Sequence, residues 1–440
     1  MSPTLKWLLV LGLLATGIVF LPKGFGIQKR LGKEKASQKS QPAPTPPPLH
    51  FVAYGITPRV AQLQDTIYVV YEDDDKIKLV ASGEGISWTS PQLISGGDTN
   101  VSAPAIVILD NGAKIITWKK GNDLRYLYQC MAQSTTVTLP FDASSIVNYD
   151  ITKTGDQIHV VVESGIGISY CSFPGLQPPT TASQLNLETV VPTTLCVYNT
   201  DASHPAIAAR TTSGAPEVVV AYYYYSNEPF WSSCQLPFEA GVVVKKRPSV
   251  PSSCCWDGVY GIVTPISDGS PKQPYSLSLT VNSTGVYFLA ASDIVDSVSR
   301  VMLARGTVSS GWAKYTKTYA ANQPRTISVS ARRNQPNIFN LALTSLLLPH
   351  NYDETSKQVF GWPLASSAPF PGGLQFLDAQ GKNARAADIR VCKGSNLCVM
   401  STIFERSEGS GGTISSIVSD AVCAPSSSCP SPSLDQPPCL

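Results

Sequence analysis

One position recurs along this chain with side chains able to do chemistry. Five segments carry a proline at what reads as the opening of a strand: Thr57-Pro58-Arg59, Ala103-Pro104-Ala105, His204-Pro205-Ala206, Gln273-Pro274-Tyr275 and Gln323-Pro324-Arg325. The residue after the proline is Arg59, Ala105, Ala206, Tyr275 and Arg325 in turn. Two further segments lack the proline, and their nearest equivalents are Asp150 and Asp388. An arginine fork grips a carboxylate through two parallel hydrogen bonds, so two arginines at one repeat position can receive an anion. Arg385 and Arg390 lie near another strand start, and Arg390 is a candidate third grip. Empty, the arginines repel each other and should draw in Asp150 or Asp388. The same charges have a structural use, pairing around a ring to fix neighbouring units.

Other clusters are less pointed. Glu72-Asp73-Asp74-Asp75 offers carboxylates to calcium, or else makes a solvated hairpin turn. The stretch from Tyr222 to Tyr260 gathers Tyr222 to Tyr225, Phe230, Trp231 and Trp256 with Cys234, Cys254 and Cys255. Exposed on a stapled loop, these aromatics would suit sugar stacking or a protein partner; buried, they form a local core. No phosphate loop, dinucleotide fingerprint, His-Glu-x-x-His motif or nucleophile-elbow serine occurs, so no cofactor is expected. Eleven cysteines without a C-x-x-C pair and only four histidines fit zinc poorly, and no metal is expected. Disulfides suit them better. Cys392 and Cys398 flank Lys-Gly-Ser-Asn as a hairpin staple would. The odd count leaves a thiol free or joined to a second chain, which would give a disulfide-linked homo-oligomer.

The elements that must position these residues read as strands. Apolar segments follow each opening: Ile67 to Tyr71, Lys114 to Trp118, Ile158 to Val162, Val218 to Tyr222, Val286 to Ala290, Ile338 to Ala342 and Asn396 to Met400. Continuous apolar runs are what strands buried on both faces look like. Repetition every several dozen residues, with several strands per unit, predicts a β-propeller. A pair of sandwiches would show cleaner in-out alternation. The expectation is an all-β chain forming one six- or seven-bladed propeller over residues 50–422, behind an N-terminal membrane-inserting segment.

That segment is the apolar run from Trp7 to Leu21, preceded by Lys6 and followed by Lys23, Lys29, Arg30, Lys33, Lys35 and Lys39. It is short for a span of about 20 residues, and the basic side argues against a tail-inside anchor. Residues 1–22 therefore read as a signal-anchor or a signal peptide. Residues 23–49 are a basic and Pro-rich stalk, since Gln41 to Pro48 favours extended polyproline II. Residues 423–440 form a Cys-, Ser- and Pro-rich tail holding Cys423, Cys429 and Cys439. Two sequons, Asn100-Val-Ser and Asn282-Ser-Thr, agree with a lumenal or extracellular surface. Only 15% of residues are charged and the net charge is +2, which gives no electrostatic basis for nucleic acid.

The first unit resembles a blade of the sialidase (neuraminidase-like) superfamily, whose Asp-box reads Ser-x-Asp-x-Gly-x-x-Trp. Gly85 and Trp88 keep that spacing, while Ala81 and Gly83 replace the Ser and Asp; a fainter echo runs from Val301 to Gly306 and ends at Trp312. The resemblance implies arginines, here Arg59, Arg325 and Arg390, that hold a substrate carboxylate. It implies a tyrosine nucleophile, here Tyr275, assisted by Asp150 and Asp388. The family's Arg-Ile-Pro signature is absent, since Arg59 follows its proline. The partners implied are glycans, sialylated ones among them, and the membrane through the N-terminus. Two functions follow: an exported glycan-binding or glycan-hydrolysing head, or a non-enzymatic attachment or scaffold protein.

Overall fold

The computed structural model describes residues 49–422, apart from short breaks and the stretches 193–199, 227–239, 249–255, 261–271, 320–326, 332–337, 344–359, 366–381 and 390–396. The N-terminal segment, the stalk and the C-terminal tail lie outside the described residues, as does Cys392 of the expected staple. Among the described residues no helix is long and apolar enough to cross a membrane.

Strands dominate because Val, Ile, Tyr and Thr recur between polar turns. Strand β1 (Leu49–Tyr54) pairs with the last described strand of the chain rather than with its neighbour in sequence. Strands β2 (Ile56–Leu63), β3 (Thr66–Asp73), β4 (Lys76–Ser82) and β5 (Gln92–Leu93) pair in chain order as an antiparallel sheet. The same plan repeats in β6 (Val101–Ile108), β7 (Lys114–Lys120), β8 (Asp123–Cys130) and β9 (Gln133–Leu139). The third sheet is β10 (Asn148–Thr154), β11 (Gln157–Ser164), β12 (Gly167–Pro174) and β13 (Glu188–Pro192), with the short helix α1 (Ala182–Leu185) before its last strand. The fourth is β14 (Thr200–Thr212), β15 (Ala215–Ser226), β16 (Ala240–Lys246) and β17 (Val259–Tyr260). The fifth is β18 (Lys272–Val281), β19 (Tyr287–Val295), β20 (Val298–Thr307) and β21 (Ser310–Tyr319).

Two sheets depart from this plan. One has three described strands, β22 (Ile327–Ala331), β23 (Ile338–Leu343) and β24 (Phe360–Ala365). The other joins β25 (Lys382–Ile389), β26 (Leu397–Glu408) and β27 (Gly411–Val422) to β1 from the opposite end of the domain. The fold is a β-propeller, with its first and last segments sharing a sheet. The expected six or seven four-stranded blades are corrected to five blades of that uninterrupted kind. Five sheets pair four strands in chain order; beside them stand the three described strands β22 to β24 and the four-stranded sheet that β1 completes.

The double-sided apolar runs are explained by packing between adjacent sheets. On β3, Tyr68 and Val70 face the second sheet, while Ile67, Val69 and Tyr71 face the sheet that contains β1. On β15, Val219, Ala221 and Tyr223 face the fifth sheet, and Val218, Val220, Tyr222 and Tyr224 face the third. Each fully buried Val or Ile contributes roughly 1.5–3 kcal/mol. Each of the seven apolar runs read from the sequence overlaps the second strand of its sheet; Val286 lies one residue before β19, and Asn396 lies outside the described residues.

The prolines require a correction. Pro58, Pro104, Pro205 and Pro274 do not open their strands but sit inside them, where the register slips, and Pro324 lies outside the described residues. The ladder shifts between Ile56 and Arg59 on β2, Ser102 and Ala105 on β6, Ser203 and Ala206 on β14, and Pro274 and Ser276 on β18. Proline has no N–H for the ladder, and a bulge is the interior site that tolerates it. The residue before it is held at positive φ in three cases, Thr57 at 49°, Ala103 at 50° and His204 at 53°. Positive φ is sparsely populated for such residues, so each bulge stores local strain.

Candidate functional site

The first strands of the sheets are neighbours, β2 beside β6 and β25, and β14 beside β10 and β18. Their bulges therefore lie around one end of the axis. Arg59 is the first paired residue after its bulge, opposite Val70, and is half-buried. Among the described residues it has no hydrogen-bond or ion-pair partner. Its charge reaches the phenol of Tyr149, two sheets away. Tyr149 donates to the carbonyl of Ala103 at 2.6 Å and accepts from Thr117 Oγ1 at 3.2 Å. Burial raises its pKa more than Thr117 and Arg59 lower it, so the phenol stays protonated.

The acidic groups nearby are committed to backbone. Asp150 Oδ2 accepts from the amide of Ile207 on β14 at 3.0 Å. Glu163, at the end of β11, accepts from the amide of His204 and from Asn148 Nδ2, both at 2.8 Å. The His204 amide lies inside the bulge before Pro205, where no ladder partner exists, and Glu163 supplies the acceptor. Lys119 donates to the carbonyl of Val147 at 3.0 Å. Burial lowers its pKa, against the opposing pull of Glu163. The carboxylates thus work as stitches between the third and fourth sheets, while Arg59 is left for another partner.

The remaining expected residues scatter. Tyr275 is the bulged residue between Pro274, opposite Asp293, and Ser276, opposite Ser292; the ladder counterpart of Arg59 on β18 is therefore Ser276. On β25 the shift lies between Lys382 and Arg385, which makes Arg385 the counterpart of Arg59. Asp388, opposite Met400, is three residues further along. Arg325 and Arg390 lie outside the described residues. Sequence reasoning passed over Tyr149, although it adjoins the flagged Asp150. Arg385 could have been preferred only with the bulge position in hand.

Burial bears on one other reading, and turn geometry on a second. Tyr222, Tyr223, Tyr224 and Trp256 are buried, so these four aromatics are core rather than an exposed sugar platform, while Phe230, Trp231, Cys234, Cys254 and Cys255 lie outside the described residues. Trp256 Nε1 donates to Glu188 Oε2 at 3.0 Å, and Arg247 Nε meets both Glu188 oxygens at 3.0 Å, which fastens this stretch to β13. In the acidic run, Asp73 pairs with Lys78 at 2.5 Å, and Asp75 Oδ2 accepts from the amide of Asn100 at 2.8 Å. Asp74 and Asp75 have φ of 49° and 60°, the geometry of a type I′ hairpin turn.

The Asp-box-like segment is a joint between sheets. Gly85, at φ 71°, donates its amide to Ser82 Oγ at 2.8 Å, and its carbonyl accepts from Ser416 Oγ of β27 at 2.7 Å. Trp88 packs half-buried against the cluster of Ile67, Val69 and Ile414.

No protein-family model and no curated protein matches the chain. Among solved structures, a protein of unknown function from Dyadobacter fermentans is similar at 13% identity, covering 86% of this chain and 97% of that one, with a TM-score of 0.38. A thermostable family-43 glycoside hydrolase is similar at 11% identity, covering 89% and 99%, with a TM-score of 0.34. The polysaccharide lyase Uly1 is similar at 9% identity, covering 85% and 90%, with a TM-score of 0.42. Likenesses this loose carry no argument about activity, and the assignment to the β-propeller fold rests on the sheet order of this chain itself.

Proposed function

We propose that this protein is an exported glycan-binding head, held at a membrane by its N-terminal segment, that takes an acidic sugar at the bulged end of the innermost strands. The observation that carries the reading is Arg59, a half-buried guanidinium on an innermost strand with no ion-pair partner among the described residues. A carboxylate-bearing sugar, sialic acid among them, is the ligand class such a group receives. Binding without turnover is favoured over hydrolysis. Asp150 is engaged by a backbone amide, and the phenol coupled to Arg59 is kept neutral by burial. The apolar run and the Pro-rich stalk support the membrane-held arrangement.

The test is titration of the full chain with a sialylated oligosaccharide and its neutral, desialylated counterpart, with a fluorogenic sialoside assayed in parallel. The acidic sugar should bind and the neutral one should not. Arg59→Ala should weaken binding by about ten- to a hundredfold, the usual worth of one charged hydrogen-bonding grip. Equal binding of both sugars, or an Arg59→Ala variant that binds like the wild type, refutes the reading. Turnover of the sialoside would replace the binding head with an enzyme.

A further inference from the structure

The chain has two sequons, and the fold treats them oppositely. Asn282 is 3% exposed, in the tight turn joining β18 to β19. Its side-chain oxygen accepts from the amide of Thr284 at 3.1 Å, from Thr284 Oγ1 at 2.9 Å and from the amide of Val286 at 2.8 Å. Those bonds fix the carboxamide within the turn, and at 3% exposure a branched sugar on its nitrogen would have to displace the packing around it. Asn100 is the reverse case. It is exposed, one residue before β6, at φ 55°. Its backbone is pinned, the amide by Asp75 Oδ2 at 2.8 Å and the carbonyl by the amide of Gly121 at 3.2 Å. Among the described residues its carboxamide makes no hydrogen bond.

We propose that Asn100 is an N-glycosylation site of this protein and that Asn282 is a structural turn residue which stays unmodified in the folded chain. The inference rests on the export reading above, because transfer needs a lumenal face. The donor is a lipid-pyrophosphate-linked oligosaccharide. The Asn100 Nδ2 attacks its anomeric carbon, and a C–N bond forms as the C–O bond to pyrophosphate breaks. The pyrophosphate leaves with the electron pair, and the amide proton passes to a base of the transferase. Asn100 meets the structural requirement: a bulky polar addition is tolerated only where the side chain faces solvent. It precedes β6 by one residue, at the same end of the strands as the Ala103 bulge. The glycan would therefore stand at the end of the first strands that carries Arg59, without involving Arg59 itself.

The test is translation of the full chain in the presence of eukaryotic microsomes, with protease protection to report import and endoglycosidase to report sugar. One glycan's mass step should be present. Asn100→Gln and Ser102→Ala should each remove it, and Asn282→Gln should leave it in place. A protected chain with no sugar, or a step that survives Asn100→Gln, overturns the proposal and leaves the export reading intact. A chain that is never protected overturns both.

Discussion

His159 gives the fold a pH dependence that can be worked from its surroundings. It is 0% exposed on β11, with Nδ1 2.7 Å from Tyr170 Oη and Nε2 2.7 Å from Thr154 Oγ1. A neutral ring offers one donor and one acceptor, and either hydroxyl can complement it. An imidazolium would donate to both oxygens, so the hydroxyl that donates to the neutral ring would have to reverse its role and turn its own proton elsewhere. The cost is desolvation, increased by the nearby Arg247, and together these lower the pKa to about 4 from 6.5. Below 6.5 the unfolded chain takes up a proton that the folded chain refuses until about pH 4. The contribution is therefore full above pH 6.5 and lost as pH falls from there to about 4. At about 1.4 kcal/mol per unit, the loss is on the order of 3 kcal/mol, a large part of an ordinary domain's stability of roughly 5–15 kcal/mol.

The assay is equilibrium denaturation from pH 7 to pH 4, wild type beside His159→Gln. Asp98 and Glu217 add their own slope at the acid end. For Asp98, burial pushes the carboxyl up, but the hydrogen bonds and charges of Lys120 and Arg125 hold it below its usual value. For Glu217, burial also opposes, and Arg210, Lys246 and Tyr287 outweigh it. Both contributions are common to the two proteins and cancel in the difference. The wild type should lose about 3 kcal/mol more than the variant between pH 6.5 and 4. Parallel curves through that window would refute the reasoning.

Glu163→Ala leaves the His204 amide without its acceptor and should cost about 1.5–3 kcal/mol in urea denaturation, with Glu163→Gln recovering part of it through the amide carbonyl. Gly55→Ala would set a methyl 2.4 Å from Tyr71 Cδ2 and 2.6 Å from the carbonyl of Glu72, at φ 147°, and should lower stability by about 1–3 kcal/mol. A variant as stable as the wild type would show that this corner relaxes freely. Arg59→Ala should leave the denaturation midpoint unchanged while reducing acidic-sugar binding, because no described group depends on it. A large stability loss there would show that Arg59 is part of the structural ring.

What was legible in the sequence was the second strand of each sheet, because its apolar run is unbroken, and in the first five sheets that strand is buried on both faces. Ile67 to Tyr71 and Val218 to Tyr222 show this most plainly, each run alternating between two different neighbouring sheets. The first strands were harder. A proline reads locally as a strand start, since loss of a donor matters least there. A bulge absorbs the same loss mid-strand, and only the partner's register distinguishes the two. That is why Tyr275 was aligned with Arg59 although Ser276 holds the equivalent place, and why Asp388 was chosen over Arg385. The aromatic stretch misled for a related reason. Tyr222 to Tyr224 look like an exposed stripe in sequence, but they continue a strand that is covered on both sides.

The charged ring therefore divides into two kinds of residue, and the division follows from the bulges. Each bulge strands a backbone amide that cannot join the ladder, and a buried amide without an acceptor is costly. On β14 this demand is met by a carboxylate of the preceding sheet, Glu163 at His204, and Asp150 secures Ile207 just beyond. The third sheet can lend those carboxylates because its own first strand, β10, keeps an unbroken register from Asn148 to Thr154 and has no bulge to satisfy. An arginine cannot serve this purpose, since it has no acceptor to offer an amide. Acidic residues near the axis are thus drawn into the frame, whereas Arg59 has no use there. Its charge is held half-buried on β2, within electrostatic reach of the Tyr149 phenol, and the titration with acidic and neutral sugars decides whether an anion from outside the chain answers it.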